Sequence, residues 1–197
     1  MEERAMSSEA HLDLNESIEE PPPGSGFTSS IRPLNDFSEL AAQGLEAFLA
    51  QLSDPVLIAG AFTTAPLDDP TFANDATLSS VEANKGPPQV IPLHCGRGGR
   101  AGALWMGRGI ACDVLLPFSN VSRVHARLTH TSDGGLRVAD ARSRNGSWRN
   151  GIKLEPGIDV LLHDGDLLRL GSLELRFLLP ETLYWHLHGS HSHPTEL

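Results

Sequence analysis

Three short motifs between residues 107 and 151 carry residue types that bind phosphate. They are Gly107-Arg108, Ser122-Arg123-Val124-His125 and Ser143-Arg144-Asn145-Gly146-Ser147. An arginine guanidinium is a planar, permanently charged group of donors that fits a phosphate dianion. A serine hydroxyl adds a short donor, and an asparagine side chain can both donate to and accept from a peptide main chain. Together the motifs predict a loop-built site for a phosphorylated side chain.

Each motif taken alone also has an ordinary structural explanation. Ser122 and Asn145 are common turn residues, and Arg108 could be a solvated surface arginine. His125 follows Ser122 by three residues, but the chain shows no order of residues typical of a catalytic triad and no carboxylate pair suited to acid–base work. We therefore expect His125 to be structural, and we expect no catalytic residue, no cofactor and no enzyme activity.

Short apolar runs divided by turn residues surround the motifs. They lie at 89–94, 103–106, 114–116, 125–129, 136–139, 147–149, 160–162, 167–170 and 173–178. The turn sequences between them include Asp133-Gly134-Gly135, Asn150-Gly151 and Asp164-Gly165. This pattern is typical of a β-sandwich or barrel, so we expect an all-β domain over residues 88–180 with the motifs in its loops.

The order and spacing of the motifs resemble those of the forkhead-associated (FHA) domain, a family that reads phosphothreonine peptides. The resemblance extends to Asp140, Asn150-Gly151 and Gly171. It implies an FHA-type β-sandwich of about eleven short strands, with the binding loops at one end. A helix before the domain and a short helix after it are similar in arrangement to small bacterial proteins that carry a single FHA domain.

The resemblance also implies roles for individual residues. In the family, the arginine of Gly-Arg and the serine of Ser-x-x-His bind phosphate, and the asparagine of Asn-Gly holds the peptide main chain. Those positions are Arg108, Ser122 and Asn145 here. Further contacts with the phosphopeptide are expected from Arg123, Arg144 and Asn120, the last reading the third residue after the phosphothreonine. Structural roles in the same loops are expected for Gly107, His125 and Gly146.

Three arginines depart from the family pattern. Arg142 stands where glycine is common, and Arg144 stands where some members use threonine to touch phosphate. Arg149 replaces a residue that is usually apolar, so we expect the strand that begins beside it to be less buried than in relatives. The added charge means that peptide preference cannot be transferred from the family.

The formal net charge of −10 is divided unevenly along the chain. Residues 1–87 hold three Lys/Arg against fifteen Asp/Glu, and residues 88–197 hold twelve against ten. The arginines crowd into the motif region, which favours an anionic ligand there. They are too few, with too little aromatic interleaving, to predict binding to nucleic acid.

The segments outside the sandwich are predicted from composition and periodicity. Residues 1–33 are acidic and rich in Ser, Pro and Gly, so we expect them to be disordered. Residues 34–87 are expected to pack on the following domain, with a helix over 37–52 that begins at an Asp36/Glu39 capping box, a strand-like run over 56–62 and a loop over 65–87. Residues 181–197 are expected to form a short helix and a His-rich tail.

Two functions from different classes follow. The first is a non-catalytic adaptor in Ser/Thr kinase signalling, whose partner is a phosphothreonine-containing protein, either the kinase or its substrate. The alternative is a phospho-independent scaffold that binds protein through the 37–52 helix and the 56–62 run, since exposed apolar faces attract partners.

The remaining features point to a cytoplasmic protein without a membrane segment. No apolar run is long enough for a membrane helix, and the N-terminus lacks the pattern of a secretion signal. The two cysteines, Cys95 and Cys112, have no metal-binding or redox spacing, which favours a reducing compartment. The tail histidines are spaced so that they could chelate a metal, but we expect no metal site there: His186, His188, His191 and His193.

Overall fold

Short extended segments of the chain pair into two β-sheets. The computed structural model describes residues 31–60, 86–94, 103–132 and 134–189. Its strands are β1 (Arg32–Pro33), β2 (Val56–Ala59), β3 (Gln89–Pro92), β4 (Ala103–Gly107), β5 (Val114–Leu115), β6 (Ala126–His130), β7 (Leu136–Asp140), β8 (Ser147–Arg149), β9 (Ile152–Lys153), β10 (Val160–Leu161), β11 (Leu167–Leu170) and β12 (Leu173–Leu178). The sheet orders are β1-β3-β2-β12-β11-β8-β9 and β10-β7-β6-β4-β5. This confirms the predicted β-sandwich.

The inner faces of the two sheets form one apolar core. On β12 the residues Leu173, Leu175 and Phe177 are buried while Glu174 and Arg176 between them are half-buried, as the two-residue repeat of a strand requires. They belong to one cluster with Met106 and Leu128 of the opposite sheet. All strand pairs are antiparallel except β4 with β5, which brings the ends of these two strands to the same edge.

A second apolar cluster covers the outer face of the seven-stranded sheet. Three helices supply it, namely α1 (Leu34–Ala41), α2 (Leu45–Gln51) and α3 (Pro180–Leu187). Phe48 is fully buried there, and its ring meets that of Tyr184 edge to face at 5.5 Å. The sheet side of the cluster includes Ile58 and Leu178. We call this region the helix-covered face.

The single helix predicted over 37–52 is wrong, because the segment forms two helices. Gly44 lies between them with φ 99°, a backbone conformation that residues with a side chain rarely adopt. The first helix also begins three residues earlier than predicted, and the residue before it is Pro33, which makes no side-chain cap. The proposed Asp36/Glu39 capping box therefore does not start the helix.

The division drawn at residue 88 separates strands that the structure pairs. Strand β2 lies inside the seven-stranded sheet, with Leu57 opposite Ile91 on one side and Phe177 on the other. All four of its residues are buried. The sandwich therefore includes residues 56–59, which the sequence analysis interpreted as a strand-like run outside the domain.

Several sequence predictions fall partly or wholly outside the described residues. These are the disorder of 1–33 apart from 31–33, the loop over 65–87 apart from 86–87, the end of the 56–62 run, and the tail beyond 189 with His191 and His193. Strands β1 and β9 were not predicted from the sequence. The short terminal helix is present as α3. Among the described residues, none of the helices has the length and apolar character needed to cross a bilayer.

Candidate functional site

The three phosphate-type motifs lie in loops at one end of the sandwich. Arg108 directly follows β4, the Ser122 motif precedes β6, and the Asn145 motif joins β7 to β8. A fourth loop, residues 171–172, joins β11 to β12 beside them, because the N–H of Gly171 donates to the carbonyl of Gly146 at 2.9 Å. We call these four loops, residues 108–113, 116–125, 141–146 and 171–172, the loop end.

Main-chain hydrogen bonds attach the Arg108 loop to the Ser122 loop. The N–H of Arg108 donates to the carbonyl of Ser122 at 3.0 Å, and the N–H of Gly109 donates to the carbonyl of Arg123 at 2.9 Å. A side chain at Gly107 would put its Cβ 2.2 Å from the carbonyl oxygen of Arg123. Glycine is therefore required at 107 for steric reasons, and the close approach fixes Arg108 beside Ser122 and Arg123.

A buried thiol holds the same carbonyl group. The Sγ of Cys112 lies 3.1 Å from the oxygen of Arg123 and donates to it. Burial raises the pKa of the Cys112 thiol to about 11, so the thiol stays protonated and keeps donating at neutral pH. The sequence did not predict this role for Cys112, because nothing in the residues around Cys112 indicates a contact with the Arg123 carbonyl.

Side-chain hydrogen bonds join the Ser122 loop to the Asn145 loop. The hydroxyl oxygen of Ser122 accepts from the N–H of Arg144 at 3.0 Å, and Nδ2 of Asn145 donates to the carbonyl of Asn120 at 2.8 Å. Because Ser122 acts as an acceptor here, its own O–H proton remains available for a ligand. The side-chain NH2 group of Asn145 uses one of its two hydrogens for this bond, while the side-chain carbonyl oxygen has no partner among the described residues.

His125 braces both loops from beneath and is fully buried. Its Nδ1 accepts from the N–H of Ser122 at 2.9 Å, and its Nε2 donates to the carbonyl of Gly146 at 3.0 Å. This pattern requires the neutral imidazole with its proton on Nε2. Burial lowers the pKa of His125 despite the opposing effects of the Gly146 carbonyl and Asp140, which keeps the ring neutral.

A buried carboxylate shapes the Asn145 loop. Asp140 is 2% exposed and accepts from the N–H of Ser143 at 2.9 Å and from its hydroxyl at 2.7 Å. The hydroxyl of Ser147 donates to the same carboxylate, and the N–H of Gly146 donates to the hydroxyl of Ser143. These bonds hold a tight turn in which Gly146 has φ 80°, so the turn presents Arg144 and Asn145 to solvent.

Asn120 makes a second contact that the sequence did not reveal. Its Nδ2 donates to the hydroxyl of Ser172 in the β11–β12 loop. Gly171 lies so close that a Cβ there would come 2.5 Å from the Asn120 carbonyl oxygen. The structure therefore brings all six predicted phosphopeptide contacts to one end of the sandwich: Arg108, Asn120, Ser122, Arg123, Arg144 and Asn145.

Two arginines counted with the motif region belong elsewhere. Arg127 pairs with Asp159 at 3.2 Å, and Nε of Arg149 lies 2.6 Å from a carboxylate oxygen of Asp166. Burial opposes the ionisation of Asp166, but hydrogen bonds led by that from Arg149 outweigh it and lower the carboxyl pKa. The Arg149 side chain is half-buried in this ion pair, and the expectation that its strand is less buried than in relatives stays a prediction.

The fold and the loop end together are typical of one class of protein. A rigid β-sandwich presents hydrogen-bonded loops at one end, and their exposed side chains are polar and cationic, which is the arrangement of a loop-based binding module. Residues 104–171 match the family model of the FHA domain. The chain therefore contains an FHA domain over this range, about a third of its length.

Curated relatives each match between a third and two fifths of the chain. The ABC transporter ATP-binding/permease protein Rv1747 of Mycobacterium tuberculosis is 40% identical over 76 residues, which is 39% of this chain and 8% of that protein. The FHA domain-containing protein PS1 of Arabidopsis thaliana is 35% identical over 69 residues, or 34% of this chain and 5% of its own length. The chain thus spans less than a tenth of either relative.

A solved structure from Saccharomyces cerevisiae is also similar to the chain. It is the N-terminal FHA domain of Rad53p in complex with a phosphothreonine peptide, with 28% identity, a TM-score of 0.40, and coverage of 48% of this chain and 87% of the other. FHA domains bind phosphothreonine peptides and are not themselves catalytic.

Proposed function

We propose that this chain binds phosphothreonine in a partner protein and acts as an adaptor in Ser/Thr kinase signalling. The observation that supports this most is the joining of three phosphate-type motifs into one surface. Arg108, Ser122 and Asn145 come from three separate loops that hydrogen bonds tie together. Among the described residues, these bonds leave the Arg108 guanidinium, the Ser122 hydroxyl proton and the Asn145 side-chain carbonyl oxygen without a partner.

The proposed binding mode assigns each group one task. Arg108 and Arg123 neutralise the phosphate and donate to its oxygens, and Ser122 donates its free hydroxyl proton. Arg144 adds a further cation, and the unpartnered carbonyl of Asn145 accepts an N–H from an extended peptide. Asn120 faces the residues that follow the phosphothreonine. An unphosphorylated threonine leaves these donors without an acceptor, which is the source of discrimination.

The partner in this proposal is a kinase that phosphorylates threonine, or a substrate of such a kinase. We place the interaction in the cytoplasm, since the free thiol of Cys112 suits a reducing compartment. Binding, and not catalysis, is the proposed activity of this chain.

The alternative of a phospho-independent scaffold depended on apolar surfaces that the structure buries. Phe37 and Phe48 of the helices and Val56 and Leu57 of β2 are at most 2% exposed. These side chains stabilise the domain and are not available to a partner without unfolding. We therefore do not propose that function.

A peptide-binding experiment tests the proposed function. An oriented phosphothreonine peptide library supplies the best sequence, and calorimetry compares that peptide with its phosphoserine and unphosphorylated forms. We expect binding of the phosphothreonine form and no measurable binding without phosphate. Ser122→Ala should weaken binding at least tenfold, since one charge-assisted hydrogen bond contributes about 1.5–3 kcal/mol. Equal affinity for phosphorylated and unphosphorylated peptide would show that the proposal is wrong.

A further inference from the structure

The described arginines fall into two groups according to whether the side chain has a partner. Five are engaged, because they pair with a carboxylate or donate to a main-chain carbonyl: Arg32, Arg127, Arg149, Arg169 and Arg176. Among the residues that the structure describes, five others have no side-chain partner, and four of these lie at the loop end: Arg108, Arg123, Arg142 and Arg144. The fifth, Arg137, lies on β7.

The loop end has almost no negative charge of its own to balance these four cations. Asp113 is the one carboxylate within the four loops, and it accepts from the N–H of Trp105 at 2.9 Å. Asp140, at the edge of the loop end, is buried beneath Ser143 and Ser147. One phosphothreonine brings a charge of about −1.5 to −2 at neutral pH, so together with Asp113 it leaves about one of the four guanidinium charges without a counter-ion.

Arg142 is the cation that the proposed binding mode does not use. It is exposed and adopts φ 54°, one of two positive values found among described residues other than glycine. Such a conformation strains a residue that has a Cβ, and glycine would adopt it freely. The adjoining Ser143 is fixed by Asp140, so the turn holds Arg142 in place. Two residues further on, the N–H of Arg144 binds Ser122.

We propose that Arg142 selects phosphothreonine peptides that carry a second negative charge, a carboxylate or a further phosphate, within a few residues of the first. The proposal rests on the proposed function and specifies the ligand class of the same surface. Arg142 supplies a positive charge next to the residues that contact the phosphate, but it is not one of those residues. The ligand is an acidic or multiply phosphorylated peptide.

Calorimetry with three versions of one phosphothreonine peptide tests this proposal on the full chain. The flanks are neutral in the first, contain Asp or Glu in the second, and contain a second phosphate in the third. We expect the second and third to bind about five- to tenfold more tightly at low salt, and the gain to shrink as salt screens the added charge. Comparison of the last two distinguishes a carboxylate from a phosphate as the source of the charge.

Variants of Arg142 test whether this residue causes the tighter binding of the peptides with a second negative charge. Arg142→Gln should reduce the gain to about threefold or less and leave the affinity for the neutral peptide within twofold. Arg142→Lys should restore most of it. Arg137→Gln is the matched control, because Arg137 is also exposed and has no side-chain partner among the described residues, and it lies about 10 Å along β7 from Asp140. This variant should keep the full gain. Arg142→Gly, which suits the positive φ, provides a well-folded second test if the glutamine variant unfolds.

The outcomes separate this proposal from the proposed function. Equal gains in wild-type protein and in Arg142→Gln would overturn the assignment of Arg142. Equal binding of all three peptides by wild-type protein would overturn the ligand class, while the dependence on the first phosphate would still support the proposed function. Binding that ignores the first phosphate would overturn both.

Discussion

The helix-covered face and the loop end are stabilised in opposite ways. At the face, Phe37, Phe48 and Tyr184 pack against the sheet, and apolar burial supplies the free energy. At the loop end, main-chain groups, His125 and Asp140 form a hydrogen-bonded network, and its four arginine side chains have no partner among the described residues. Apolar packing and ligand binding therefore depend on different residues, so substitutions at the helix-covered face should lower stability without changing phosphopeptide affinity.

Phe48→Ala should give the largest loss of stability. The side chain is fully buried and meets Tyr184, so truncation should lower the free energy of unfolding by about 3–5 kcal/mol. Denaturant unfolding measures this, with the exposed Glu46→Ala on the same helix as the control. Phosphopeptide affinity of the folded fraction should stay within twofold. A large drop in that affinity would mean that the helices shape the loop end.

His125→Ala should affect both stability and binding, because His125 underlies two of the loops. Loss of its bonds to Ser122 and Gly146 should lower the free energy of unfolding by about 2–3 kcal/mol and weaken phosphopeptide binding. Thermal unfolding and calorimetry measure the two effects. Unchanged binding in a folded variant would show that the Ser122 loop does not need this support.

The same histidine predicts a pH dependence whose sign follows from its buried, neutral state. The pKa of His125 is lowered in the folded protein, so its contribution is complete above about pH 6.5 and is lost as the pH falls through the folded value. Without peptide, the midpoint temperature of thermal unfolding of the wild type should therefore decrease as the pH is lowered from 7 to 5. His125→Gln should make that fall shallower; parallel curves for the two proteins would contradict this origin.

Gly44→Ala should have a smaller effect, confined to the junction of α1 and α2. A Cβ at Gly44 meets nothing within 4 Å, so the cost comes from the φ of 99° alone, about 1–2 kcal/mol. Gly86→Ala is the control, since that position is equally open and has no positive φ. Equal stability of the two variants would show that the junction can change conformation. Binding should be unaffected in both.

The sequence predicted the elements whose signals are local. Alternating runs such as 173–178 gave strands with the right bounds, and motif spacing located the residues that the loop end brings together. It missed the break at Gly44, because an apolar helical period continued across it. It also missed the insertion of 56–59 into the sheet, since a pairing partner more than 100 residues away leaves no local trace.

Within the loop end, the sequence also failed to predict contacts between residues that are distant along the chain. The Cys112 thiol on the Arg123 carbonyl and the Asn120 contact with Ser172 depend on loops meeting in space. Arg127 and Arg149 looked equivalent to Arg144 as charges, yet each is paired with a carboxylate that follows it by 17 or more residues. Arginine composition predicted the sign of the surface but not which arginines remain free.

The most direct test of the account compares Arg108→Gln with Arg137→Gln in one calorimetric titration series with a phosphothreonine peptide. Both remove an exposed, unpartnered guanidinium, so each should change the free energy of unfolding by less than about 0.5 kcal/mol. We expect Arg108→Gln to weaken binding by at least about tenfold and Arg137→Gln to bind as the wild type does. Equal affinities for the two variants would contradict the claim that the loop end is the phosphate-binding site.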